Sequence, residues 1–143
     1  MVSESKMREI LFRGKTNDGE WLEGFYAIFS STPFIGAPNH YGTMLWSAVK
    51  SKTVGQFTGL ADKNGKRIFE GDIVRVERDL WHGENKIERE VFNGVVWYDE
   101  KHTCFGIKSE KYRCLPIHRF KGDYVTVIGN IHDNPELLNG TES

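Results

Sequence analysis

A chain of 143 residues can bury a core without covalent staples, and nine Phe, five Tyr and four Trp supply large buried area where the apolar fraction is only 38%. A formal net charge of −1 gives no global attraction to nucleic acid or to an anionic membrane. Two cysteines, Cys104 and Cys114, are too few for a disulfide framework, and no apolar stretch approaches the ~20 residues of a membrane span. Residues 2–6 are polar, with no apolar core of a signal peptide after them, so the expectation is a cytoplasmic protein with reduced thiols and no membrane association.

The β signal is dense along the whole chain. Residues 10–12 and 21–29 read as two strands of an N-terminal hairpin, joined through the turn chemistry of Asn17, Asp18 and Gly19. Residues 30–43 carry Pro33, Gly36 and Pro38 without periodicity and read as a surface loop, and 45–49 as a short returning strand. Two further strands are expected at 54–57 and 73–78. In the second, Ile73, Arg75 and Glu77 alternate with Val74, Val76 and Arg78, as in a strand half buried and half wet. Asn93 and Gly94 separate 86–92 from 95–98, either as a hairpin turn or as a glycine bulge in one long strand.

Strands are also expected at 104–108 and 124–128, whereas Pro116 marks 113–120 as an edge strand or an irregular segment. Asn134, Pro135 and Glu136 form the only helix start, with Asn134 placed to cap, and Asn139-Gly140 limits it to one short turn. Many short strands with Gly-rich turns indicate an all-β fold, a small barrel or sandwich with SH3-like character. The domain expectation is a flexible start at 1–6, a single β domain over 7–138 and a flexible tail at 139–143.

The run Thr53-Val-Gly-Gln-Phe-Thr-Gly-Leu60, then Asp62-Lys-Asn-Gly-Lys66, then Ile68-Phe-Glu-Gly-Asp-Ile-Val74 resembles the signature of the YopX family of small phage and prophage proteins. Met7-Arg-Glu-Ile-Leu-Phe-Arg-Gly14 at one end, with Val127-Ile-Gly-Asn-Ile131 and Asn134-Pro-Glu-Leu-Leu138 at the other, extends the likeness along most of the chain. Residues 79–120 carry no family pattern. The resemblance implies an all-β, phage-associated protein in a bacterial host cell and supplies no catalytic residue. Gly55, Gly59, Gly65 and Gly71 stand where turns or close backbone approaches need them.

Four groups of residues carry what chemistry there is. His102, Cys104, Cys114 and His118 are the ligand types of tetrahedral zinc, although their spacing matches no finger or ribbon and buried cysteine is common without metal. Lys101, Lys108, Lys111, Arg113, Arg119 and Lys121 form a basic stretch interleaved with Phe105, Tyr112 and Phe120, the composition of a phosphate-tracking groove with stacking platforms. Against it, Asp123, Asp133, Glu136 and Glu142 follow and could neutralise it, and aromatics in β domains usually form core or cross-strand pairs. Glu70 and Asp72 flank Gly71 as a carboxylate pair, more simply read as turn chemistry entering a strand. Phe34, Ile35, His40 and Tyr41 lie in the 30–43 loop and either contact a partner or fold back over the sheet end.

No phosphate loop, nucleophile elbow or metalloprotease motif is present, so no catalytic residue and no cofactor is expected. The reading is a non-enzymatic accessory protein acting through contacts with a phage or host protein or as a homo-oligomer. The alternative is a nucleic-acid-binding module using the 101–121 stretch.

Overall fold

The computed structural model describes residues 7–120 and 124–139. Within it the N-terminal hairpin forms where turn chemistry places it. β1 (Phe12–Lys15) pairs antiparallel with β2 (Trp21–Phe29), with Lys15 opposite Trp21. The connecting turn closes through Thr16, whose carbonyl accepts the Gly19 N–H at 3.0 Å and whose Oγ1 accepts the Glu20 N–H at 3.1 Å. Gly19 sits at φ +91, the left-handed region that glycine enters without steric cost.

The expected loop over 30–43 is corrected. β3 (Thr32–Pro38) follows β2 directly, and Ile35 in its centre is 1% exposed. Ser30 and Ser31 make the two-residue turn between them, both at positive φ (49 and 68). That backbone suits strand twist but is usually announced by Asn-Gly, so the Ser-Ser pair gave no hairpin signal. The prolines lie at the second and last positions of the strand, where lost ladder donors cost least. β4 (Met44–Ala48) returns beside β3 in the register Ile35↔Ser47 and Gly36↔Trp46. A 3-10 turn over Ser51–Thr53 then leads into β5 (Gly55–Ala61), which pairs with β1 through Phe12↔Gln56. Thr53 fixes that turn from inside: its Oγ1 accepts the Lys15 N–H at 2.8 Å and donates to the Lys50 carbonyl at 2.6 Å.

The chain divides into two compact units, Met1–Gly59 and Leu60–Ser143. The first holds the sheet β4-β3-β2-β1-β5. β6 (Arg67–Phe69) follows β5 across the turn at 62–66. The second sheet has the order β10-β9-β8-β7-β11, from β7 (Asp72–His82), β8 (Asn85–Asp99), β9 (Cys104–Lys108), β10 (Leu115–Pro116) and β11 (Val125–Asn130). Both sheets are antiparallel, and the molecule is all-β as expected, with open sheets rather than a closed barrel.

In the second unit Ile68, Val74, Val76, Val96, Ile107, Ile117, Phe120 and Val125 form one buried cluster, with Phe92 and Phe105 packed against it. β7 is buried at Asp72, Ile73, Val74 and Val76, exposed at Arg75 and only half-buried from Glu77 to Leu80, which is why its sequence did not alternate cleanly. Asn93 and Gly94 are neither turn nor bulge against β7, because the ladder runs unbroken through Arg75↔Asn93 and Val74↔Gly94. A Cβ on Gly94 would stand 2.6 Å from Ile107 Cγ2 and 2.9 Å from the Lys108 carbonyl oxygen, so the glycine is there for close strand approach. The C-terminal turn over Pro135–Leu138 is a single 3-10 turn, and Asn134 makes no side-chain cap to it. Its Oδ1 instead accepts the Asn130 N–H at 3.4 Å, a correction to the capping role.

Candidate functional site

The carboxylates of the central 53–74 run work on the backbone. Asp62, 6% exposed, accepts the N–H groups of Asn64 and Lys66 through Oδ1 and that of Val127 through Oδ2, each at 2.9 Å. One side chain therefore shapes its own turn and ties it to β11. Burial pushes its pKa up, but the three N–H donors and Lys66 outweigh this and hold it below the ordinary aspartate value. Asp72 is buried and accepts the Phe69 N–H at 2.7 Å, which assigns it the turn role rather than that of one half of an acid–base pair. Gly59, Gly65 and Gly71 all sit at positive φ, as their turn reading requires.

The 101–121 stretch is divided by the fold. Lys101 lies in the β8–β9 turn and Lys108 ends β9, so a strand of about 17 Å separates them. Lys108 rests over the Trp97 ring at 5.2 Å. Lys111 pairs with Glu90 at 2.6 Å, while Arg113 and Arg119 are exposed. Lys121 lies outside the described residues. The interleaved aromatics have structural partners: Phe105 packs on the core, Phe120 is buried, and Tyr112 stacks on Phe92 with centroids 5.2 Å apart.

That same stretch contributes to a polar cluster the sequence did not reveal. Glu90, its side chain 9% exposed, accepts from Arg78 Nε at 2.9 Å, Lys111 Nζ at 2.6 Å and the Tyr112 hydroxyl at 2.7 Å. Arg78 lies over the Tyr112 and Phe120 rings at 5.3 and 5.6 Å. Burial alone would raise the Glu90 pKa, yet the donors Lys111, Tyr112 and Arg78 bring it down to about 2. The cluster binds β7, β8 and the segment after β9 together and uses each donor internally. Its members stand 12, 21 and 22 residues apart, a spacing with no periodic signal.

Of the four zinc-type residues, His102 hydrogen-bonds Asp99 Oδ2 through Nδ1 at 2.5 Å, and the Cys114 thiol donates to the same carboxylate. Cys114 Sγ lies so close over Gly106 that a Cβ there would be 2.8 Å away. Burial first and Asp99 second push the Cys114 thiol up to about 11, which keeps it protonated and a poor metal ligand or nucleophile. His118 is exposed in the 3-10 turn Ile117–Arg119. Among the described residues no three His, Cys, Asp or Glu side chains converge as metal ligands do.

The surface most unlike a spent scaffold lies in the first unit. Cross-strand register places Phe25, Ala27, Phe29, Phe34, Met44, Trp46 and Ala48 on one face of β2, β3 and β4. Phe25 is 52% exposed, Phe29 58%, Trp46 43% and Met44 38%. The rings are locked to one another: Phe29 meets Phe34 and Trp46 edge-on at 5.7 and 6.3 Å. Trp46 rests on Gly36, where a Cβ would stand 2.6 Å from the indole. Of the four partner-contact residues expected here, Ile35 points to the opposite, buried side, Phe34 belongs to this face, and His40 and Tyr41 are exposed in the β3–β4 turn. The strand over 45–49 was read from the sequence; the signal missed was that it carries no charge and that β2 is apolar on both alternations.

Buried carboxylates and glycines that serve strand and turn geometry, on two open antiparallel sheets, define a small all-β protein. The chain matches the family model described as YopX protein over residues 12–139, and it belongs to the YopX family. Among solved structures it is similar to protein EF1440 from Enterococcus faecalis, at 26% identity and a TM-score of 0.54, over 92% of this chain and 99% of that one. No curated protein matches it. Among the described residues no helix is long and apolar enough to cross a membrane.

Proposed function

We propose that this YopX-family protein is a phage- or prophage-encoded accessory protein, non-enzymatic, that acts through protein contacts in the bacterial cytoplasm. The observation that supports it is the aromatic face of β2–β4, where Phe25, Phe29, Trp46 and Met44 stay exposed while the Phe29 and Trp46 rings pack on one another. Together they leave on the order of 400 Å² of apolar surface in water, within the size range of patches that carry function on soluble proteins. Rings already packed on one another lose less side-chain freedom when a partner covers them, so that part of the face is pre-organised for contact. The nucleic-acid alternative has less support, because Lys111 and the three interleaved aromatics are engaged internally.

The test is affinity capture from bacterial cells carrying the gene, with nuclease treatment, comparing the native chain with a Phe25→Ser/Phe29→Ser variant. Both rings are more than half exposed, so the variant should fold, which circular dichroism checks before the profiles are compared. Proteins retained by the native chain and lost from the variant support the reading; identical profiles overturn it.

A further inference from the structure

β4 is the last strand of its sheet among the described residues, and its free edge bears none of the usual protections. Exposed edge strands are normally blunted by Lys, Pro or a bulge, yet Met44–Ala48 has no charge, no proline and an unbroken register with β3. It exposes side chains to both faces, with Trp46 on one and Leu45, 55% exposed, on the other. The direction of its backbone groups follows from the ladder. Val49 N–H donates to the Pro33 carbonyl at 3.0 Å and Asn39 N–H to the Thr43 carbonyl at 2.8 Å. Bonded pairs alternate along an antiparallel ladder, so Ile35↔Ser47 and Ala37↔Leu45 are the bonded pairs between them. The N–H and C=O groups of Met44, Trp46 and Ala48 therefore point away from β3, toward the open edge.

We propose that this edge is the seam of a homodimer, in which β4 of a second copy adds antiparallel across a two-fold axis through Trp46. The inference rests on the protein-contact reading above and names the partner for the edge of that surface. An open edge calls for a strand, and two features favour the protein's own. Self-pairing opposes no charges, because the strand has none, and an uncharged edge has nothing with which to select a charged foreign strand. A two-fold at Trp46 sets Met44 of one copy opposite Ala48 of the other and Leu45 opposite Ser47, large against small at each level.

The pairing satisfies the outward groups of Met44, Trp46 and Ala48 in both copies and sets the two indoles side by side. On each face of the joined sheet the second copy covers part of the exposed Met44, Leu45 and Trp46 side chains, which stand beside their cross-strand neighbours. The aromatic faces of the two copies become one.

Sedimentation equilibrium and amide hydrogen exchange on the full chain test the seam. The expected result is a dimer in which the Trp46 and Ala48 amides exchange at least about tenfold more slowly in concentrated than in dilute solution, whereas the β3-bonded Leu45 and Ser47 amides are protected in both. Ala48→Pro removes an outward donor without touching the β3 ladder, and it should yield a folded monomer. A native chain that stays monomeric, or a dimer whose Trp46 and Ala48 amides exchange equally at all concentrations, overturns the seam. Should Ala48→Pro fail to fold, the exchange measurement on the native chain still decides. Failure here leaves the Phe25/Phe29 capture result standing, so the two readings fail separately.

Discussion

Two carboxylates show how this protein uses acidic residues as fasteners. Asp62 joins a turn to β11 and Glu90 joins β7, β8 and the segment after β9, each by accepting three hydrogen bonds. Glu90 has its pKa depressed on folding, from 4.5 to about 2. A depressed carboxylate contributes stability that is fully present above its unfolded value and is lost as pH falls toward its folded value. Thermal unfolding followed by circular dichroism should therefore show Tm falling as pH drops from about 4.5 toward 2. Glu90→Gln should be less stable at pH 7 by about 1–3 kcal/mol, since Arg78 and Lys111 lose their charged acceptor, and its acid limb should be flatter. An equally steep acid limb in the variant would assign the loss to other groups. None of this was legible in the sequence, where Glu90 is one charged residue in a run of alternating charges.

At the scale of the element, the strands were legible where turn chemistry was conventional and illegible where it was not. The β1–β2 hairpin carries Asn17, Asp18 and Gly19 and was readable, whereas β3 hides behind Ser30-Ser31 and two prolines. A serine at positive φ strains the backbone by roughly 1 kcal/mol, which glycine relieves. Ser31→Gly should accordingly raise the unfolding free energy by up to about 1 kcal/mol in urea titration, and a loss of stability would mean that the Ser31 side chain has a role of its own. Gly94 makes the opposite case, since the sequence offered turn or bulge and the structure uses it as a flat point in a fifteen-residue strand. Gly94→Val places side-chain atoms against Ile107 and the Lys108 backbone, and should cost about 1–3 kcal/mol by overpacking. A neutral result would mean that β8 and β9 can separate without penalty.

For the whole molecule, composition and the 53–74 signature sufficed for the all-β class and the family, because glycine and aspartate positions are imposed by backbone geometry. The surface was illegible for the complementary reason. Exposure depends on which alternate positions a register turns outward, and one misread loop hid the register of three strands. The basic stretch gives the same lesson in reverse: β9 parts Lys101 from Lys108, and Lys111 is neutralised by Glu90. Binding of single-stranded and duplex DNA, measured from low to moderate salt, should accordingly be absent or weak. An affinity falling steeply as salt rises would restore the phosphate-contact reading.

The order of strands in the second sheet has a consequence for the making of the protein. β7 is completed by residue 82, but its outer neighbour β11 spans Val125–Asn130, and Asp62 waits for the Val127 N–H across 65 residues. A ribosome adding residues one at a time must expose Val74 and Val76, which are 0% exposed once folded, until nearly the last strand emerges. The first unit, ending at Gly59, has all its strand partners from β1 to β4 much earlier. Synthesis thus presents a finished N-terminal sheet tethered to an unfinished one, and arrest before residue 125 would hand the cell's proteases a chain half folded and half open.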